Sequence, residues 1–442
     1  MLPNNDIPDG GLPARKSLRR MLFLLVPCIL PLCPARAQGG APLPAPDSLL
    51  IIFWNVENLF DCDGTNGGGE WTAEGEKHWT PGRLRAKCNA IGKTLLWIGE
   101  QEGRLPDIVA LAEVENAGVL RRLIHSAPLR KAGYRYVHFD SPDPRGIDVA
   151  LLYRKDCFAF KFSEDTPDGN GDAAPQVGLR QNALQGLRSE AIPIPDFRTR
   201  DMLRCRFPLN LRHQPGHDLH DSVSNGLASP PHDTTDGQAG SSHDPTGGQV
   251  CDTLTLLVVH HPSKLGDAAR SRARRETAMR ILRNACLADA SDGPHDTPLT
   301  GTSDGPNKTP LSGASACYPH ARALTVVTGD FNDTPDGEAF RMLDSCLVCL
   351  SRPLHQRGEG SLKYDGKWEL IDQFWVSPDL APGCTTAVVY APFLLTRDSA
   401  HAGLKPLRTY SGPRYLGGVS DHLPVILRLR FPERLSSNDV GQ

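Results

Sequence analysis

Residues 326–333 join an apolar, β-branched run directly to a carboxylate and an amide that stand two positions apart. Side chains at positions i and i+2 of an extended chain lie on the same face, so Asp330 and Asn332 can converge on one point. An oxygen-rich point of this kind suits a hard cation or a phosphate group. The structural alternative is a strand followed by a turn, for which residues 333–337 supply turn-forming side chains.

The same arrangement recurs along the chain, where five further apolar runs lead into or contain polar side chains. In isolation each such residue has a structural explanation, because a strand-end Asn often caps a turn and a His is often packed in a core. Six runs together argue against coincidence and predict that several strands end at one functional edge. The polar residues of the further runs are Asn55, Glu113, His260, Asp372, Asp421 and His422.

The motifs at these strand ends are, in chain order, Trp-Asn-Val-Glu at 54–57, Ala-Glu-Val at 112–114, His260 followed by Pro262 and Ser263, Gly-Asp-Phe-Asn at 329–332, Ile-Asp at 371–372 and Ser-Asp-His-Leu-Pro at 420–424. Together, and in this order, they resemble the motifs of the endonuclease/exonuclease/phosphatase superfamily. The resemblance implies an α/β fold, a four-layer sandwich in which two mixed β-sheets pack face to face with helices outside. It covers residues 48–432 as a single catalytic domain, and its opening segment looks like the secreted bacterial nuclease-like branch.

Hydrolysis of a phosphodiester needs a cation on a non-bridging oxygen, because the phosphate is anionic and repels an attacking hydroxide. Hard oxygen ligands in small number suit Mg²⁺, with Mn²⁺ or Ca²⁺ as alternatives. Glu113 is the first candidate ligand, Asn55 is placed with it at the metal and helps to orient it, and the resemblance places Asp421 close to the metal. Zinc is poorly supported, since no Cys/His pair near these strand ends has zinc-ligand spacing.

The resemblance also implies roles for the acid, amide and imidazole groups. In that family the residues that match Asp330 and Asn332 contact the scissile phosphate and the attacking water. His422 would act as a base or a phosphate clamp, with Asp372 holding its ring, an arrangement that fixes the tautomer of an imidazole. His260 would supply a second imidazole that donates to a phosphate oxygen or to the leaving group.

Two residues near the predicted substrate have competing interpretations. Alignment on Pro262 and Ser263 makes His260 the catalytic imidazole, whereas a slip of one residue favours His261, which would otherwise bind substrate. Arg145 precedes another predicted core strand and could reach a phosphate. A solvated arginine in a glycine turn explains Arg145 equally well.

The N-terminal segment has the order of an export signal. Basic residues precede the apolar run 21–32, and a small-residue cleavage site follows at 35–37, which makes 1–37 the predicted signal. The apolar run is short and broken by proline, so we expect no stable membrane anchor. A lipid anchor on Cys33 is the less favoured alternative. We predict a periplasmic or extracellular protein, in which some of the ten remaining cysteines could pair.

Two stretches, 213–249 and 289–315, are dominated by Gly, Ser, Thr, Pro, Asp and His, and we expect disordered inserts there. Between them, residues 266–287 predict a helix with several arginines, which could follow a nucleic-acid backbone or simply be solvated.

The charge of the chain bears on its substrate. Residues 1–37 carry a net charge of +3, so the remainder has a formal net charge of −6. This weakens the case for nucleic acid without excluding it, because an active-site metal and local arginines compensate. The leading prediction is an exported Mg²⁺-dependent nuclease acting on DNA or RNA. The alternatives are a lipid or inositol phosphate phosphoesterase and a non-catalytic binding protein, and nothing in the sequence indicates a protein partner.

Overall fold

The computed structural model describes residues 48–64, 69–154, 156–157, 187–195, 197–209, 252–264, 267–291 and 323–431. The predicted export signal and the first predicted insert lie outside these residues. Of the second predicted insert, only 289–291 are described, and they end a helix. Among the described helices, none is both long enough and apolar enough to cross a bilayer.

Strands and helices are interspersed along the chain. In chain order the strands are β1 (Ser48–Leu59), β2 (Ile108–Val114), β3 (Tyr134–His138), β4 (Asp148–Arg154), β5 (Arg188–Ile192), β6 (Met202–Leu209), β7 (Asp252–His260), β8 (Ala323–Asp330), β9 (Val348–Cys349), β10 (Leu362–Tyr364), β11 (Lys367–Glu369), β12 (Asp372–Val376), β13 (Cys384–Val388), β14 (Leu395–Arg397), β15 (Leu404–Pro406), β16 (Tyr410–Ser411), β17 (Arg414–Tyr415) and β18 (Val425–Arg430). The α-helices are α1 (Pro81–Glu102), α2 (Ala117–Ile124), α3 (Ala268–Ser291), α4 (Arg341–Asp344) and α5 (Arg352–Gln356). The predicted helix at 266–287 is therefore present as α3.

Twelve strands form two six-stranded mixed sheets, which we call sheet A and sheet B. Sheet A has the order β13-β18-β1-β2-β4-β3, and sheet B has the order β5-β6-β7-β8-β12-β9. The two central strands of each sheet are parallel, β1 with β2 and β7 with β8. The other neighbours within the sheets are antiparallel. The remaining six strands form three hairpins.

The central strands of sheet B carry buried apolar side chains on both faces, because both faces are covered. In β7, Leu254, Leu256 and Val258 point into the core shared with sheet A, whereas Leu257 and Val259 pack with the residues of α3. Across the shared core, β1 and β2 contact β8, and β4 contacts β7. The period of two along β7 therefore separates an inward series from an outward series of side chains.

Helices cover the outer face of each sheet. The first helix, α1, begins at a Thr80 cap whose side chain accepts the Arg83 N–H, has Pro81 in its first turn, and ends at Gly103 with φ of 72°. Its buried face joins the core of sheet A, and α2 packs beside it. On the other side, α3 packs on sheet B and contacts α4. The layers confirm the predicted four-layer α/β sandwich.

The close approach of β7 and β8 at Gly329 generates a stability prediction. Gly329 is the register partner of Val259, and a Cβ at Gly329 would lie 2.1 Å from the Val259 carbonyl oxygen. We expect Gly329→Ala to lower the free energy of unfolding by about 1–3 kcal/mol, because the two central strands must separate. Urea unfolding measures this. Gly82→Ala in α1, where the nearest atom is 3.7 Å away, is the matched control and should not destabilise. Equal losses in both variants would contradict the packing argument.

Candidate active site

Three strands of sheet B each deliver one polar residue to the shared core at the same end. His260 continues the inward series of β7, Asp330 that of β8 and Asp372 that of β12. His260 and Asp330 are register partners in the parallel pair, and Asp372 faces Asp330 across the antiparallel pair. All three residues are buried. Strand alternation and register therefore place an imidazole and two carboxylates side by side.

The Asp330 carboxylate is the centre of the cluster. Its Oδ2 accepts a hydrogen bond from Asn55 Nδ2 at 3.0 Å, and it lies 3.6 Å from His260 Nε2 and 3.9 Å from His422 Nε2. Its Oδ1 accepts the backbone N–H of Asn332 at 2.8 Å. Four segments that are distant in sequence thus meet at one carboxylate. Asn55, Asp330, Asn332, His260 and His422 are brought together as the sequence predicted.

His422 is held by a buried carboxylate on its far side. Its Nδ1 lies 2.7 Å from Asp372 Oδ2. The backbone N–H of His422 donates to Ser420 Oγ at 3.0 Å, and Ser420 Oγ donates to the Asn55 carbonyl at 2.6 Å. These contacts fix the ring so that Nε2 is directed toward Asp330. The predicted pairing of Asp372 with His422 is therefore present in the structure.

The two imidazoles differ in protonation state. Burial opposes a charge on His422, but Asp372, Asp330 and Asp421 together raise its pKa well above the ordinary value. For His260, burial lowers the pKa well below its ordinary value, and Arg200 and Arg145 add to the shift. At neutral pH the site therefore presents a charged His422 and an uncharged His260.

The central carboxylate is unusually basic. Burial raises the pKa of Asp330 to about 7, and the neighbouring Asp372 adds to this effect. His422, the Asn332 N–H and the Asn55 amide act in the opposite direction. A carboxylate with a pKa near neutrality can accept and release a proton during catalysis.

Glu113 lies beside this cluster at an irregularity of β2, with φ of 63°. One of its carboxylate oxygens accepts the backbone N–H of Asn58 at 2.9 Å. The other lies 3.4 Å from Asn55 Nδ2 and 3.7 Å from Arg145 Nη2. Because Asn55 Oδ1 accepts the Glu57 backbone N–H at 3.0 Å, the amide directs its nitrogen at the two carboxylates. Asn55 thus orients Glu113 and Asp330, and its predicted place among the metal ligands has no support in this geometry.

The oxygen donors at the mouth of the site fit a hard divalent cation. Glu113 is 13% exposed and Asp421 is 28% exposed, so water can reach both carboxylates. A cation such as Mg²⁺ that takes few protein ligands completes its octahedron with water and substrate. A second group, Asp330 with Asp372 and His422, has ligand atoms within 4.8 Å of one another but is buried and already hydrogen-bonded internally. Glu113 and Asp421 also accept hydrogen bonds, from the Asn58 N–H and from Arg408, but their exposure makes them the better candidates to hold the ion.

The structure does not bring His261 into the cluster. The residue continues the outward series of β7, and its ring packs against Phe331 with a centroid separation of 5.1 Å. It is 1% exposed, and burial lowers its pKa to about 3, with Arg200 and Arg275 adding to the shift. An enclosed, neutral ring on the outer face does not reach a substrate in the shared core. The geometry favours His260 as the catalytic imidazole and gives no support to substrate binding by His261.

Two charged residues outside the predicted set of site residues lie near Asp421. Arg408 donates to Asp421 Oδ2 at 2.9 Å and, through Nε, to Glu57 Oε1 at 3.1 Å. Glu57 is buried, and burial followed by Asp421 raises its pKa. In the sequence, the signal that pointed to Glu57 was its position two residues after Asn55. Arg408 lies in a loop without a motif, so no local pattern could have identified it.

A model of the endonuclease/exonuclease/phosphatase family matches residues 50–174 and 315–431, which together exceed half of the chain. The chain belongs to this family. The matched ranges contain Asn55, Glu113, Asp330, Asp372 and His422. Members of the endonuclease/exonuclease/phosphatase family are hydrolases that act on phosphoesters. No curated protein matches the chain.

Solved structures of similar fold have little sequence identity with this chain. A family protein from Bacteroides thetaiotaomicron is 12% identical, with a TM-score of 0.43 and coverage of 87% of this chain and 98% of its own. A mannosyl-6-phosphatase from the same organism is 14% identical, with a TM-score of 0.40 and coverage of 87% and 100%. An AP endonuclease from Leishmania major is 13% identical, with a TM-score of 0.42 and coverage of 87% and 88%.

Substitutions of Asn332 distinguish its role in backbone conformation from its role in catalysis. Its φ is 51°, and its Nδ2 donates to the His261 carbonyl at 2.9 Å. We expect Asn332→Ala to lower the free energy of unfolding by about 1–2 kcal/mol. Alanine keeps the Cβ that disfavours the left-handed region but lacks the amide whose hydrogen bond offsets this cost. Asn332→Gly should lose less stability, because glycine tolerates this φ. Thermal unfolding and phosphoesterase assays together test this.

Both Asn332 variants should lose activity, because both lack the amide. An active Asn332→Gly protein would show that the amide serves the fold alone.

Proposed function

We propose that this chain is an exported nuclease that hydrolyses phosphodiester bonds in DNA or RNA and depends on a divalent cation. The observation that carries the proposal is the convergence of His260, His422, Asn55 and Asn332 on the Asp330 carboxylate, with Glu113 beside them. A buried acid flanked by one charged and one neutral imidazole suits hydrolysis of an anionic ester. Export rests on the N-terminal segment alone.

Glu113 and Asp421 would hold Mg²⁺, or Mn²⁺ or Ca²⁺ in its place, and the ion would supply charge neutralisation at a phosphate oxygen. Asp330 orients the attacking water and accepts its proton, for which a pKa of about 7 is suitable. His422 carries its proton at neutral pH and therefore acts as the phosphate clamp, with Asp372 supporting the charge, rather than as the base. The neutral His260 ring donates to a phosphate or leaving oxygen, and Asn332 contacts the phosphate through its second amide N–H.

The surroundings of the site favour an extended anionic substrate. Arg145 is 51% exposed at the mouth beside Glu113, and Lys264 is 48% exposed on the loop that follows β7. Lys264 pairs with Asp333, the residue after Asn332, which places this lysine near the catalytic loop. Cations on two sides of a phosphodiester site can contact the phosphates that flank the scissile one.

Two variants of the site test the catalytic assignment. We expect His422→Ala and Glu113→Gln each to lower the rate of DNA or RNA cleavage by about 10²–10⁴-fold, since one removes the charged donor and the other weakens cation binding. Excess chelator should abolish wild-type cleavage, and added Mg²⁺ should restore it. Gel assays on linear and circular DNA and on RNA provide the measurement.

His125→Ala is the matched control, because His125 is exposed at the end of α2 and its ring contacts the Arg121 carbonyl of the same helix at 3.0 Å. It should cleave at the wild-type rate. Folded site variants with full activity would refute the assignment. Cleavage of neither nucleic acid, with turnover of sphingomyelin or phosphoinositides, would move the proposal to lipid phosphoesters.

One observation favours a lipid phosphoesterase as the second candidate. Leu362 of β10 forms a bridge with His422, and β10 contacts β15. On these two hairpins Tyr364 is 66% exposed and Leu404 is 49% exposed. Apolar surface therefore begins within a few residues of the site, where it could contact a lipid surface.

This candidate makes a separate prediction. If the substrate is a membrane lipid, Tyr364→Ser should lower turnover on sphingomyelin vesicles about tenfold, because an exposed aromatic side chain no longer enters the interface. Turnover of a short-chain, soluble analogue should be unchanged. Leu287→Ser on α3 is the control, since Leu287 is 39% exposed on another element. Equal activity of wild type and Tyr364→Ser on vesicles would exclude this surface from membrane contact.

A further inference from the structure

The end of β1 contains an irregular turn that shapes the site. Asn55 pairs with Ala112 and Leu59 pairs with Val114, so residues 56–58 stand opposite Glu113 alone. Glu57 and Asn58 have φ values of 50° and 52°, and Glu113 has 63°. Residues with a side chain disfavour this left-handed region, so other contacts must hold the turn in place.

The turn has a direct effect on Glu113. The backbone N–H of Asn58 points at Glu113 Oε2 and donates to it at 2.9 Å. The direction of this N–H depends on the left-handed conformation of Glu57 and Asn58. Whatever fixes the turn therefore also fixes one oxygen of the carboxylate that faces the mouth of the site.

A buried lysine lies directly beneath the turn. Lys87 of α1 is 2% exposed, and its ammonium donates to the Glu57 carbonyl and, at 2.8 Å, to Thr409 Oγ1. The Thr409 backbone N–H donates to Glu57 Oε2 at 2.7 Å, which closes a ring of contacts. Burial lowers the pKa of Lys87 to about 8, while Glu57, Glu113 and Asp421 oppose the shift. An ammonium that gives up its hydration is retained only where it is bonded.

We propose that Lys87 is a positioning residue of the phosphoesterase site, which ties the backbone of Glu57 to Thr409 and so holds the Asn58 N–H against Glu113. Its ammonium is buried and does not touch the substrate. The role in catalysis rests on the function proposed above, because it assumes that Glu113 serves the reaction. The geometric part, a lysine that orders the Glu57–Asn58 turn, is independent of the substrate.

The test uses Lys87→Met, which keeps a long apolar stem and removes the ammonium. In cation-free protein, hydrogen–deuterium exchange of the peptide that contains Asn58 should be at least tenfold faster than in the wild type. At saturating Mg²⁺, kcat should fall at least tenfold, with KM changed less than threefold, because Glu113 is misplaced while the substrate contacts remain. Leu95→Ala, a cavity variant of the same helix that lies outside the ring of contacts, should leave both readouts unchanged in its folded fraction.

Thr409→Val decides the question if Lys87→Met does not fold, since it removes the hydroxyl that the ammonium contacts, together with the bond of that hydroxyl to the Val419 carbonyl. It should shift exchange at Asn58 and kcat in the same direction by a smaller factor. Wild-type exchange at Asn58 in a folded Lys87 or Thr409 variant would overturn the proposal. If exchange at Asn58 is faster in these variants but the wild type hydrolyses no phosphoester, the role of Lys87 in ordering the turn stands and the proposed function is refuted.

Discussion

Two carboxylates, Asp330 and Asp372, are buried side by side at one end of sheet B, where they are 2% and 0% exposed. Carboxylates in such a position repel each other and have lost their hydration. Each therefore needs a hydrogen-bond or charged partner in place of the lost water. His422 stands between them, bonded to Asp372 and directed at Asp330. The Asn55 amide and the Asn332 N–H complete the set around Asp330. Because these partners come from separate segments, the site forms only when both sheets are assembled.

Burial and the neighbouring charged groups give the two imidazoles different protonation states, and this difference suits hydrolysis. Asp372, Asp330 and Asp421 raise the pKa of His422 against the effect of burial, whereas burial, followed by Arg200 and Arg145, lowers the pKa of His260. Equivalent side chains thus take different roles because their neighbours differ. The basic character of Asp330 arises from burial and from Asp372, and an anionic substrate would enter a region where a charged donor and a proton acceptor are already adjacent.

The fold and much of the site could be predicted because the relevant signals are local. Apolar runs that end in polar groups identified the strand ends, and the motifs around Asp330 and His422 identified the family. The choice between His260 and His261 stayed open, because β7 is apolar on both faces and its sequence does not say which face meets sheet A. Packing of Val258 toward sheet A and of Val259 toward α3 places His260, and not His261, on the face that carries Asp330. Arg408 was missed for another reason, since its partners are 13 and 351 residues away.

Strained backbone marks the part of the site that sequence patterns do not show. Glu57, Asn58, Glu113 and Asn332 all have φ between 50° and 63°, in a region where glycine would be favoured. Left-handed residues that carry side chains are retained where the surrounding contacts determine them, and such residues cluster at functional sites. Here the backbone N–H groups of Asn58 and Asn332 donate to Glu113 and Asp330, the carboxylates that the reaction would use. Local stability is thus given up in order to direct donors at Glu113 and Asp330, and buried contacts such as that of Lys87 with Glu57 offset part of this cost.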